Sequence, residues 1–224
     1  MSLEQNKQPN LKPTFSLKDK EVERTKSAKV FGEIFRTNYW GSLESVSGEG
    51  STLDNTTAIR AALPPLIEEL HIRSILDIPC GDFHWMNAVV LDIDYHGGDI
   101  VAELVAQNQQ RYGSENLRFS HLDVRSLFLP TVDLILVRDC LVHMPTSDVR
   151  KAISNIRLSG AKWLLATTFT QRSENDRLPD WLWRPLNMEL SDFDLGKADR
   201  IISEEFFGDD GKWSDKSLGL WCIT

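Results

Sequence analysis

Between Arg73 and Thr168 short continuous apolar runs alternate with longer stretches in which apolar residues return every third or fourth position. The short runs predict strands at Ser74 to Ile78, Asp94 to Gly98, Leu117 to Leu122, Leu134 to Arg138 and Lys162 to Thr168. Helices are expected between them. The clearest are Ile100 to Tyr112, ended by Gly113, and Ser147 to Leu158, with Val149, Ala152, Ile153 and Ile156 on one face and Gly160 beyond its end. Strand and helix in alternation predict a parallel sheet covered on both faces. Upstream, Val30, Phe31, Ile34 and Phe35 keep helical spacing up to the aromatic pair Tyr39-Trp40 and Gly41. The turn-rich SVSGEGST then leads to a second helical region near Asp54, whose apolar face is Ile59, Leu63, Leu66, Ile67 and Leu70 and which Pro64-Pro65 is expected to split. Residues 1–28 have few apolar anchors and read as a flexible tail, leaving 29–224 as one domain with a helical cap over 29–72.

Composition narrows the function. The chain has 224 residues, 41% of them hydrophobic, which suits one substantial core. A net charge of -8, with no Lys/Arg run beyond the first 30 residues, excludes an ordinary nucleic-acid partner. Three widely separated cysteines, Cys80, Cys140 and Cys222, form neither a disulfide framework nor a zinc motif and fit a reducing cytoplasm. No window has the apolar length of a membrane span, and the polar start lacks the apolar core of a secretory signal.

The chemistry concentrates where strands end. SILDIPCGDFHWM runs a buried strand into a turn in which Gly81 permits close backbone approach, the place where nucleotide cofactors dock. Asp99 follows the second strand about 20 residues on, the separation at which such folds hold ribose hydroxyls with a carboxylate. Its other reading is a cap for the helix beginning at Ile100. Asp77 and Asp82 flank the turn, and their charge suits an ammonium or sulfonium group and repels the phosphates of a dinucleotide. Tyr39, Trp40, Phe83 and Trp85 offer aromatic faces to such a cation, or serve as core. SGEGST, beginning at Ser47, is either a nest of amides for a carboxylate or a plain connector. Asp82 and His84 are too isolated to argue for a metal, and none is expected.

The turn resembles the cofactor loop of class I S-adenosylmethionine-dependent methyltransferases. Where the common form has three alternating glycines, this chain has Pro79, Gly81 and Phe83, and the spelling Asp-x-Pro-Cys-Gly-Asp-Phe-x-Trp-Met is similar to a bacterial subgroup of these enzymes. FGEIFRTNYWGS, SGEGST, YHGGDIV, VRDCLVHM, WRPLNM and DKSLGLW are similar to further blocks of that subgroup, in its order. The resemblance implies a Rossmann-like, doubly wound, mostly parallel seven-strand sheet, with two more strands near Arg200 to Glu204 and Leu218 to Ile223. It also implies S-adenosyl-L-methionine as cofactor, held by the loop Asp77-x-Pro79-Cys80-Gly81, and Asp123, after RFSHL, at the adenine amino group. A turn role is the alternative for Asp123.

The fourth strand ends in VRDCLVHMP, which puts Arg138, Asp139 and His143 at one sheet edge. His143 is the candidate base for an acceptor proton, with Arg138 and Asp139 orienting the acceptor; alternatively it braces the next helix. Trp183 and Arg184, in the run Trp181 to Asn187, are candidates for a substrate wall in which Arg184 pairs with an anionic group, or belong to a surface loop pinned by tryptophans. The expected activity is methyl transfer to a small molecule, and the subgroup's setting points to an oxygen on a sugar or glycan-pathway intermediate. A catalytically silent cofactor-binding subunit and a nicotinamide-dependent reductase are the alternatives.

Overall fold

The protein is described by a computed structural model that covers residues 17–176, 183–206 and 211–224. Trp181 and Leu182 of the expected substrate wall lie outside the described residues. Seven strands form one sheet: β1 (Ser74–Asp77), β2 (Asp94–Asp99), β3 (Leu117–His121), β4 (Leu134–Val137), β5 (Trp163–Phe169), β6 (Arg200–Ser203) and β7 (Lys216–Cys222). Their order is β3-β2-β1-β4-β5-β7-β6. All pairs are parallel except those of β7, which runs antiparallel to β5 and β6. This is the expected Rossmann-like architecture, including its last two strands.

Among the described residues four helices accompany the sheet: α1 (Leu17–Thr37), α2 (Thr57–Glu69), α3 (Ala102–Tyr112) and α4 (Thr146–Leu158). Central β4 is buried along its whole length, so every position is apolar and its side chains alternate between two cores. Ile135 and Val137 pack with Val149, Ala152, Ile153 and Ile156 of α4. Leu134 and Leu136 pack with Ile59, Leu63 and Leu66 of α2 and Val105 of α3 on the other face.

Three expectations are corrected. First, α1 begins at Leu17, so part of the supposed tail is helical, and Ser27 is buried, with its Oγ accepting a hydrogen bond from Arg125 Nη2 at 3.0 Å. Second, α2 runs unbroken through Pro64 and Pro65. Its fully or nearly buried Ile59, Leu63, Leu66 and Ile67 each contribute about 1.5–3 kcal/mol of apolar burial, which outweighs a proline penalty of about 3 kcal/mol. Third, the connections after β1 and β3 are not full helices. The first holds only a single 3-10 turn at Met86–Ala88, and the second is irregular.

The chain builds outward from β1 to β3 and then crosses back to place β4 beside β1. This reversal opens a crevice at the carboxyl ends of β1 and β4, the place where such sheets bind ligands.

Candidate active site

A cleft occupies this crevice. Its floor is the β1 turn (Asp77 to Asp82), the ends of β2 and β3 form one side, and the end of β4 forms the other. Helix α1 and the segment up to Ser51 cover it, with Phe31, Ile34, Phe35, Trp40, Val46 and Ser47 facing inward.

Gly81 has φ +53°, and a Cβ there would stand 2.3 Å from Ser47 Oγ, so only glycine fits. Both of its peptide groups are held. Its N–H donates to Asp99 Oδ2 at 3.2 Å, and its carbonyl accepts from Asn108 Nδ2 at 2.8 Å. Asp99 Oδ1 also accepts from Val101 N–H at 2.9 Å, which steers the chain toward α3. Asp99 thus braces the turn and the helix entrance together, and its oxygens retain lone pairs for further donors. Burial raises its pKa to about 6, less than it otherwise would because the Val101 and Gly81 amides stabilise the anion. Asp77 is buried beneath the turn with Tyr95 OH donating to its Oδ2 at 2.5 Å. Burial lifts it to about 7 against the pull of Tyr95 and Arg138.

Asp82 is engaged with the covering segment. Its carboxylate accepts from Ser45 Oγ (2.9 Å), Val46 N–H (3.0 Å), Ser47 Oγ (3.1 Å) and His84 N–H (3.3 Å). The SGEGST segment folds as a tight turn in which the amides of Gly48, Ser51 and Thr52 donate to backbone carbonyls nearby and that of Ser47 to Ser45 Oγ. Asp123 receives Arg125 through its backbone N–H and its guanidinium, at 2.8 Å in each case, and Arg125 continues to Asp148 at 3.0 Å.

At the β4 end Arg138 is buried. It donates to Glu204 Oε2 at 2.6 Å and to the Gly50 carbonyl at 2.7 Å. Asp139 adopts φ +51°, an uncommon conformation for a residue with a side chain, and its N–H donates to Thr167 Oγ1 at 2.8 Å. Its Oδ2 lies 2.6 Å from Lys216 Nζ and 3.5 Å from Arg138 Nη1, and Lys216 also reaches Glu204 at 3.2 Å. Burial works against the Asp139 anion, yet Lys216 and Arg138 hold it down at about 2. His143 is recessed between Phe31 and Trp40, at ring distances of 5.7 and 5.9 Å. Burial lowers its pKa against the opposing charge of Asp139, so the imidazole is neutral at neutral pH.

The cleft gathers Trp40, Ser47, Asp77, Pro79, Cys80, Gly81, Asp82, Trp85, Asp99, Asp123, Arg138, Asp139 and His143 from the sequence-derived set. Four others fall elsewhere. Phe83 packs behind the turn against Tyr95, Tyr112 and Phe119, with centroids 5.0–5.2 Å away. Tyr39 is 71% exposed. Trp183 stacks edge-on against Phe169 and Trp213. Arg184 is buried and holds the turn before α4, donating to the carbonyls of Met144 (3.0 Å) and Asp176 and to Thr146 Oγ1 (3.1 Å). Sequence reasoning missed Asn108 and Glu204. Asn108 shows itself only as a polar residue on the buried face of Leu104 and Val105. Among the described residues no group of three His, Cys, Asp or Glu side chains stands ready for a metal.

The doubly wound sheet with β7 reversed, the glycine turn after β1 and the carboxylate after β2 together give a Rossmann-like fold that solved methyltransferase structures share. Residues 75–159, from β1 through α4, match the family model of a methyltransferase domain. Solved structures agree on the fold. The Burkholderia thailandensis 1,6-didemethyltoxoflavin-N1-methyltransferase, solved with 1,6-didemethyltoxoflavin and S-adenosylhomocysteine, is 14% identical over 95% of this chain and 92% of its own, with a TM-score of 0.63. The magnesium protoporphyrin IX methyltransferase of Synechocystis PCC 6803, solved with S-adenosylmethionine, is 14% identical over 93% and 99%, with a TM-score of 0.56. The [4+2]-cyclase SpnF is 18% identical over 74% and 80%, with a TM-score of 0.52. A search of curated proteins returns no match.

Proposed function

We propose that this protein is an S-adenosylmethionine-dependent methyltransferase acting on a small molecule, most directly on an oxygen of a sugar or glycan-pathway intermediate. The observation that carries the donor assignment is the charge of the cleft: five aspartates line it and its two arginines are both paired with carboxylates. Such a site favours a cation and rejects the pyrophosphate of a nicotinamide dinucleotide. The two methyltransferases above, with S-adenosylhomocysteine or S-adenosylmethionine in their structures, support the same donor. S-adenosylmethionine supplies, when bound, an electrophilic methyl group on a sulfonium.

In this reading Asp99 would accept from the ribose hydroxyls and Asp123 from the adenine amino group, and the turn Pro79-Cys80-Gly81 would help to hold the donor. Trp40 and Trp85 are the aromatic faces on the cleft, and Ser47 fixes the cover to the turn through the Asp82 N–H, which donates to its Oγ at 3.0 Å. Neutral His143 removes the proton of an acceptor hydroxyl at its free ring nitrogen, Asp139 orients that acceptor, and Arg138 acts through Asp139. In-line displacement needs alignment and exclusion of water, which the α1 cover provides. The free cysteines fit a cytoplasmic setting, and no described helix is long and apolar enough to cross a membrane.

The test is release of S-adenosylhomocysteine and transfer of labelled methyl groups by the purified full chain across a panel of sugars, sugar phosphates and hydroxylated heterocycles. Turnover with one of them supports the reading. Donor binding without turnover favours the second reading, a cofactor-binding protein without methyl transfer; a [4+2]-cyclase shares this fold, so the fold alone does not fix the reaction.

A further inference from the structure

Resting on that reading, the cleft also specifies the acceptor by what its cations are doing. We infer that the acceptor enters uncharged, with a flat apolar face, and that phosphorylated or carboxylated acceptors are excluded from the β4 end of the cleft.

Recognition of a phosphate needs a cation that is free to turn toward it. The sequence offers Arg184 for that purpose, and the structure removes it: the guanidinium is buried and donates to the backbone carbonyls of Met144 and Asp176. Arg125 faces the cleft but is bracketed by Asp123 and Asp148, both at bonding distance, with Ser27 as a further partner. Arg138 faces it as well and is spent on Glu204 and the Gly50 carbonyl. Lys216, just behind, bridges Asp139 and Glu204. Arg138 and Lys216 with Asp139 and Glu204 form a quartet of zero net charge, and Asp139 is the member most open to the cleft, at 30% side-chain exposure. A phosphate arriving at the β4 end therefore meets a carboxylate edge, with every described cation behind it already neutralised.

The rest of the wall is apolar. Phe31, Ile34 and Phe35 of α1 and Trp40 present hydrocarbon and ring faces on the side of His143. Such faces accept aromatic rings and equally the apolar face of an unmodified sugar. A neutral hydroxyl also suits a neutral imidazole, because an acceptor that arrives as an oxyanion has no proton for His143 to remove.

The test uses two probes matched in their ring and different in charge, phenyl β-glucopyranoside and phenyl phosphate. Each is titrated by calorimetry into the full chain with and without S-adenosylhomocysteine at low salt. The glucoside is expected to bind at least about tenfold more tightly, and added salt should narrow the gap by screening the repulsion of the phosphate. Glu204→Gln removes one carboxylate from Arg138 and Lys216 and should narrow the gap at low salt. Equal affinity, preference for the phosphate, or no measurable binding of either probe by the wild-type chain overturns the inference. Loss of the S-adenosylhomocysteine heat with the preference intact would remove the donor assignment alone.

Discussion

Replacing Asp82 with alanine separates two roles for a carboxylate beside the glycine turn. As a partner for the donor's ammonium group it would matter only when ligand is bound. As the clamp of the covering segment it matters in the ligand-free protein, where it accepts hydrogen bonds from Ser45, Val46, Ser47 and His84 at 2.9–3.3 Å. Hydrogen bonds to a charged group contribute about 1.5–3 kcal/mol apiece, but these four share one part-buried acceptor and water can replace some of them. A combined loss of about 2–4 kcal/mol is therefore expected in the free protein. The assay is hydrogen exchange at the Val46 amide, which should speed up at least about 30-fold for a loss of 2 kcal/mol. Thermal unfolding of the same variant should fall by about 4–16 °C, at roughly 2–4 °C per kcal/mol for a chain of this size. Asp82→Asn, which keeps one acceptor oxygen, should fall between. Unchanged exchange and melting in ligand-free Asp82→Ala, with weakened donor binding, would refute the clamp and restore the ammonium role.

Asp99→Ala should weaken S-adenosylmethionine binding by about 1.5–3 kcal/mol in a folded protein; unchanged affinity in a titration would confine Asp99 to bracing Gly81 and Val101. Because burial holds Asp99 at about 6 and Asp77 at about 7, and a cationic donor prefers both ionised, affinity should climb as pH rises through those values and level off above them; a flat profile by calorimetry contradicts this. His143→Ala should slow transfer to a hydroxyl acceptor by roughly 100- to 10,000-fold with little change in donor affinity; near-normal turnover would make His143 a bracing residue. Burial depresses His96 to about 4 from 6.5, so the unfolded chain takes up that proton first as pH falls. Denaturant titrations should show a stability contribution that is whole above pH 6.5 and declines toward pH 4, and His96→Val should flatten that decline.

The strands were legible because the central ones are buried on both faces and must be apolar throughout, as β4 is. The β1-turn side of the cleft was legible for a related reason: Asp77, Gly81 and Asp99 sit at strand ends, where a polar residue or glycine interrupts an apolar run. What the sequence concealed were choices made by tertiary packing. Phe83 and Trp85 stand two residues apart, yet Trp85 faces the cleft and Phe83, with φ +60°, turns into the aromatic cluster behind it. Arg184 carries the same charge whether it meets a ligand or three oxygens of its own chain, and only the fold decides. Pro64 and Pro65 argue locally for a break that the buried face of α2 overrides. The left-handed Asp139 and its quartet with Arg138, Lys216 and Glu204 join residues 77 and 66 positions apart, beyond the reach of any local pattern.

The central claim, that this cleft is built for S-adenosylmethionine, is tested most directly by titrating the full chain in parallel with S-adenosylhomocysteine and NADH. One-to-one binding of S-adenosylhomocysteine, weakened in Asp99→Ala, and no heat from NADH are expected. Binding of NADH, or of neither compound, would contradict it.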